Sequence, residues 1–106
     1  MPKFLIKASY TPDGVRGLLK EGGSRRRAAV QKIVEGLGGK LEAFYYAYGE
    51  DDAVIIVDLP DATTGLALSL TVNATGAVRL STTPLIAPED IDAASKKTVD
   101  YKAPGQ

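Results

Sequence analysis

Lys40-Leu41-Glu42-Ala43-Phe44-Tyr45-Tyr46-Ala47-Tyr48-Gly49-Glu50-Asp51-Asp52-Ala53-Val54-Ile55-Ile56-Val57-Asp58-Leu59 decides the fold. Its first half is aromatic-rich and strand-like over Lys40 to Tyr48, because rings suit a pleated, half-buried surface. Gly49-Glu50-Asp51-Asp52 is a turn, and Ala53 to Leu59 is an almost unbroken apolar run. Two strands joined by so short a turn form a hairpin. A strand with apolar residues on both faces is a central one, covered from both sides.

Working outward, Lys3 to Tyr10 alternates Phe4, Ile6, Ala8 and Tyr10 against Lys3, Leu5, Lys7 and Ser9, the period of a strand. Thr11 or Asp13 can cap a helix in which Val15, Leu18 and Leu19 share a face. Gly22-Gly23-Ser24 interrupts it, giving either two abutting helices or one kinked helix, with Ser24 as the cap of the second segment. Val30, Ile33, Val34 and Leu37 repeat at helical spacing there, and Gly38-Gly39 closes the helix. Beyond the hairpin, Pro60-Asp61 opens a helix ending near Asn73, with Leu66, Ala67 and Leu70 as its expected buried stripe. Gly76 to Thr83 reads as a half-buried strand alternating Val78, Leu80 and Thr82 with Arg79, Ser81 and Thr83. Pro88-Glu89-Asp90 starts a short last helix, and the tail from about Tyr101 to Gln106 is irregular.

The order β-α-β-β-α-β plus a terminal helix predicts one domain over residues 1–106. Its class is α+β, a ferredoxin-like antiparallel sheet with helices on one face. Two helices cannot cover both faces. A second copy of the chain, meeting the first with two-fold symmetry, is the expected cover; the terminal helix folding underneath and an apolar ligand are the alternatives.

Composition narrows the chemistry by exclusion. Thirteen basic residues balance thirteen acidic ones, so the electrostatic case for nucleic acid or an anionic membrane surface is missing. The chain has no cysteine, which rules out disulfides, a thiolate nucleophile and a thiolate metal site. It has no histidine, which rules out a Ser-His-Asp triad, a His general base and a His-ligated haem. Lysine interrupts the apolar stretch near Met1, and no run approaches a membrane span, so a cytoplasmic protein is expected. No cofactor and no metal is called for.

Blocks of the chain are familiar. Met1 to Ile6, Ser9-Tyr10-Thr11-Pro12 with Gly14, Lys20 to Arg26, Leu37 to Glu42, Val57 to Asp61, Asn73 to Val78 and Thr83-Pro84-Leu85 recur in the same order in the GYD domain family, which the chain resembles over nearly its whole length. The resemblance implies a dimeric α/β-barrel relative of the ferredoxin-like class; it implies no activity. The family is named for a glycine, a tyrosine and an aspartate in the hairpin. Gly49 and Asp52 match, whereas Asp51 stands at the tyrosine position.

Three groups of residues are candidates for chemistry. Gly23, Ser24, Arg25 and Arg26, at a helix start, could hold an anion on free backbone amides and guanidinium groups, although a solvated basic turn or an intersubunit salt bridge is the plainer reading. Lys7, Ser9, Arg79 and Ser81 would project together from the sheet's second face, joined by Asp58 if its strand keeps the alternation. There Lys7 could act as a base and Arg79 could orient an acid, or the group could form the rim of a dimer interface. Tyr10, Tyr45, Tyr46 and Tyr48 could line an aromatic pocket, with Tyr10 a phenolic acid, or simply fill core and interface. The expected function is a homo-oligomeric binding or accessory domain, a dimer first, holding a small anionic or aromatic molecule at the sheet interface. A cofactor-free enzyme of isomerase, cyclase or oxygenase type, acting on a small organic acid or aromatic, and a protein-interaction module are the alternatives.

Overall fold

The computed structural model describes residues 1–106. In chain order the elements are β1 (Lys3–Tyr10), α1 (Pro12–Glu21), α2 (Gly23–Gly36), β2 (Lys40–Tyr46), β3 (Ala53–Asp58), α3 (Ala62–Ala74), β4 (Val78–Leu85) and α4 (Pro88–Ser95). The four strands form one antiparallel sheet in the order β2-β3-β1-β4. This is the ferredoxin-like α+β arrangement, and β3 is central as its two-sided apolar character requires.

The alternation of each strand sorts its residues onto the two faces. Ile6 lies opposite Ile55 and Thr82, and Phe4 opposite Val57 and Pro84, so one face collects Phe4, Ile6, Ala8, Ile55, Val57 and Val78, all buried. A β-bulge between Leu41 and Ala43 inserts Glu42 and lets both Leu41 and Phe44 point to this same face. The helices cover it: α2 packs on β2, and α3 on β4. Leu59, Val34 and Val57 are its largest fully buried side chains.

Helix boundaries follow local chemistry. Thr11 caps α1, its hydroxyl accepting from the Gly14 N–H at 3.3 Å. The break after Glu21 gives two abutting helices, and the cap of α2 is Gly22 rather than Ser24, which lies inside the first turn. Gly22 adopts φ 91°, a left-handed conformation that a side chain disfavours, and this ends α1 one residue before α2 begins. Asp61 caps α3 by accepting from the Thr64 N–H at 2.8 Å.

Two expected apolar stripes differ in the structure. In α3 the inward residues are Gly65, Leu68 and Val72, while Leu66 and Leu70 are 59% and 62% exposed and Ala67 is exposed as well. The helix is apolar nearly all round, so periodicity does not set its phase; the bulk of Phe4 does. A Cβ on Gly65 would stand 3.0 Å from the Phe4 ring, so only glycine lets α3 approach that closely. In α1 no residue is buried: Leu18 is half-buried, whereas Val15 and Leu19 are exposed.

The sheet's other face carries no helix. Across its middle run Ala43, Ile56, Leu5 and Thr83, then Tyr45, Val54, Lys7 and Ser81. Helix α4 does not fold beneath it; every residue from Thr83 to Lys102 is exposed. No helix is long and apolar enough to cross a membrane.

Candidate functional site

The helices α2 and α3 stand on opposite sides of the covered face and leave a cleft between them. Its inner part, about 60 Å³, has fourteen lining residues, thirteen of them hydrophobic, among them Ile6, Val30, Phe44, Ile55 and Leu68. The exception is Arg26. Tyr10, Arg26, Ile33, Val72 and Val78 also border a wider groove of about 440 Å³ that continues outward beneath α1, past Asp13, Leu18 and Glu21. The site thus has an apolar floor, a polar throat and an open approach.

Tyr10 and Arg26 form the throat, and Tyr46 stands beside them. Tyr10 comes from the end of β1, where its N–H donates to the Asp52 carboxylate at 2.8 Å. Asp52 also donates its own N–H to the Ala8 carbonyl at 2.8 Å, so the hairpin turn clamps the end of β1 and fixes the direction of Tyr10. Arg26 projects from the first turn of α2, in phase with Val30 and Ile33. Tyr46 ends β2; its hydroxyl donates to the Gly23 carbonyl at 3.1 Å, and its ring meets Phe44 edge-on at 5.2 Å.

Burial pushes both the Tyr10 and the Tyr46 phenols above their ordinary value, the proximity of each phenol raises Tyr46 further, and the charge of Arg26 pulls both the other way. Both are therefore neutral hydrogen-bond donors at physiological pH. Arg26 makes no ion pair within the chain: the three salt bridges are Lys3–Glu42, Lys3–Asp58 and Arg16–Asp13. A half-buried arginine beside the Tyr10 phenol, with no carboxylate within ion-pair distance, leaves its charge uncompensated.

The sequence model of the GYD domain family matches residues 4–95. The chain belongs to the GYD domain family. No curated protein and no solved structure matches it. Of the hairpin residues behind the family's name, Asp52 secures β1 in this GYD domain. Asp51 is half-buried on the uncovered face and accepts a long hydrogen bond of 3.4 Å from the Ser9 hydroxyl. The departure at Asp51 therefore lies beside the open face and not in the cleft.

The remaining candidates divide between the two faces. Lys7, Ser9, Arg79 and Ser81 do share the open face, bordering a polar groove of about 250 Å³ with Glu50 and Asp51. Asp58 shares their face but stands at the far end, 2.9 Å from Lys3. Gly23 and Ser24 open α2 beside Tyr46, while Arg25 is exposed and Arg26 turns into the cleft, so the helix start does not gather all four. Tyr45 and Tyr48 are exposed at 73% and 107%, leaving Tyr10 and Tyr46 as the aromatic pair. No cluster of carboxylates could hold a metal ion. The meeting of Tyr10 with Arg26 was not anticipated, although one signal for it exists: Arg26 occupies the position of the apolar stripe one turn before Val30.

Proposed function

We propose that this GYD domain is a homodimeric binding module that takes up a small organic acid with an apolar body. The body enters the cleft between α2 and α3; its carboxylate rests at the throat on Arg26, with the Tyr10 phenol as a second donor. The observation that carries this reading is the unpaired Arg26, the one polar member of an otherwise apolar inner lining. A charge-assisted hydrogen bond of this kind is worth about 1.5–3 kcal/mol. The volume suits a single ring or a short branched chain rather than a large cofactor.

Phenols raised above their ordinary value are protonated near neutral pH and serve as hydrogen-bond donors to a bound acid. The open face supplies the dimer contact in this proposal. Half-buried Leu5, Val54 and Ile56 form its centre, and charges of both signs, Lys3 and Asp58 at one end and Lys7, Arg79 and Asp51 at the other, ring it. A surface of that pattern complements a copy of itself turned by a two-fold.

The test is a methyl-resolved NMR titration with benzoate, with benzyl alcohol as the neutral control, beside native mass spectrometry. Benzoate should shift the methyl signals of Ile6, Val30, Ile33 and Val72, benzyl alcohol should shift them at least tenfold more weakly, and Arg26→Gln should remove the difference. Equal responses to the two compounds, or none, would overturn the acid-binding reading; a monomeric mass would overturn the dimer.

A further inference from the structure

The groove beneath α1 carries charges of both signs that its own chain leaves unmatched. Asp13, Gly14, Gly17, Leu18 and Glu21 of α1 border it, at the spacing of one helix face. Asp13 is engaged by Arg16, whereas Glu21 makes no ion pair. Arg26 of α2 borders the same groove and is likewise unpaired.

Each of these two charges opposes the helix that carries it. Glu21 is the last residue of α1, at the negative end of its dipole, and Arg26 lies in the first turn of α2, at the positive end. Neither is placed to the benefit of its helix, and no ion pair joins them. They are nonetheless neighbours. Burial is the chief cause of the raised Tyr46 phenol, and the charges of Arg26 and Glu21 act on that same hydroxyl with opposite signs.

Helix α1 also keeps space open here. Gly14 has a packing reason, since a Cβ there would stand 2.1 Å from the Ala77 carbonyl oxygen. Gly17 has none: a Cβ there would meet nothing within 4 Å. Glycine inside a helix costs stability relative to alanine. What the missing side chain of Gly17 leaves clear is the groove, about 440 Å³, which leads to the apolar cleft.

A ligand that answers all of these features has an anionic group for Arg26, a cationic group for Glu21 and an apolar body for the cleft. In a free α-amino acid with an apolar side chain the three meet on one carbon. A peptide separates its charged ends, and a simple acid leaves Glu21 unmatched.

We propose that the small acid taken up by the cleft is a free α-amino acid with a branched or aromatic apolar side chain, its carboxylate on Arg26 and Tyr10 and its ammonium group on Glu21. The proposal rests on the acid-binding reading above, and the experiment separates the two. The full-length protein is titrated, with methyl-resolved NMR detection, with L-leucine and with 4-methylpentanoate, which lacks only the amino group. L-Leucine should bind about fivefold more tightly, the contribution of one exposed charge pair. Glu21→Gln should remove that advantage without weakening 4-methylpentanoate; the Glu21 side chain makes no ion pair in the chain, so the variant keeps the fold. Equal binding of the two compounds, with Arg26→Gln weakening both, would overturn the amino-acid assignment and leave the acid-binding reading standing. Shifts from neither compound would overturn both. Equal weakening of the two compounds by Glu21→Gln would make Glu21 a structural residue and overturn the assignment. Gly17→Leu gives an independent reading. It should fill the groove and lower L-leucine affinity about tenfold, with the thermal midpoint unchanged or higher. Undiminished L-leucine binding in that variant would place the ligand elsewhere and overturn the proposal.

Discussion

The two faces of one sheet are made by the same strands and differ in almost everything else. On β3, Ile55 and Val57 face the helices and are buried, while Val54 and Ile56, one position away, lie half-buried on the face with no helix. The covered face is apolar except where Arg26 and the Tyr10 phenol reach its cleft. The open face mixes Leu5, Val54 and Ile56 with Lys3, Lys7, Asp58 and Arg79. The first pattern is that of a core, set within the chain. The second has the apolar middle and charged rim on which the proposed dimer rests. Period-two alternation therefore encodes two different surfaces in a single hairpin, and the contrast between them can be broken by substitutions on neighbouring residues.

The largest effect is expected from Ile55→Ala against Ile56→Ala. Removing Ile55 leaves a cavity among Ile6, Val57 and Phe44 and should cost about 2–5 kcal/mol in urea unfolding. Removing Ile56 should cost less than half as much in monomer stability, and should instead raise the protein concentration at which the dimer dissociates. Equal losses with no change in oligomeric state would erase the distinction between core and interface.

Next comes the split between the two basic sites. Arg26→Gln should lower benzoate affinity about tenfold or more, as loss of a charge-assisted hydrogen bond requires, with stability changed by less than about 0.5 kcal/mol. Arg79→Gln, on the open face, should leave benzoate binding unaltered. If the Arg79 substitution were the damaging one, the ligand would belong at the sheet interface and not in the cleft. A smaller effect is expected at Gly65→Ala, where crowding against the Phe4 ring opposes the gain in helix propensity. Overpacking costs about 1–3 kcal/mol and the propensity gain returns about 1. A net loss near 1 kcal/mol by calorimetry is the outcome expected, and a stabilised variant would mean that α3 can lift from the sheet.

These contrasts also show how far the fold was legible in the residues. The placement of Lys7, Ser9, Arg79 and Ser81 on one face needed only the alternation of β1 and β4, because neither strand contains a bulge. In β2 the extra residue at Glu42 shifts the phase, so Leu41 and Phe44 share a face that strict alternation would deny them. In α3, leucines at Leu66, Leu68 and Leu70 offer apolar residues on every side, and steric fit to Phe4 chose Gly65, Leu68 and Val72. The throat of the cleft was harder still. Tyr10 and Arg26 stood in separate groups of candidates, and only the docking of α2 on the sheet, against β2, brings them together.

Half-buried Tyr10 and partly covered Tyr46 give the smallest effect, and its sign follows from the direction of their shift. Tyr10 and Tyr46 are held above an ordinary value of 10.0, chiefly by burial. In the unfolded chain these phenols lose their protons near pH 10, while in the folded chain they still hold them, so above that pH the unfolded state binds fewer protons. Stability must then fall as pH rises, being fully present below about pH 10 and lost as pH rises through the folded values. Absorbance at 295 nm would follow the same event. Tyr10 and Tyr46 should give a late phase, above the ordinary value of 10.0. Replacing both by phenylalanine should remove the late phase and flatten the alkaline decline in the urea midpoint. An unchanged decline would mean that packing does not desolvate the two phenols, and the throat of the covered face would then be as wet as the open face.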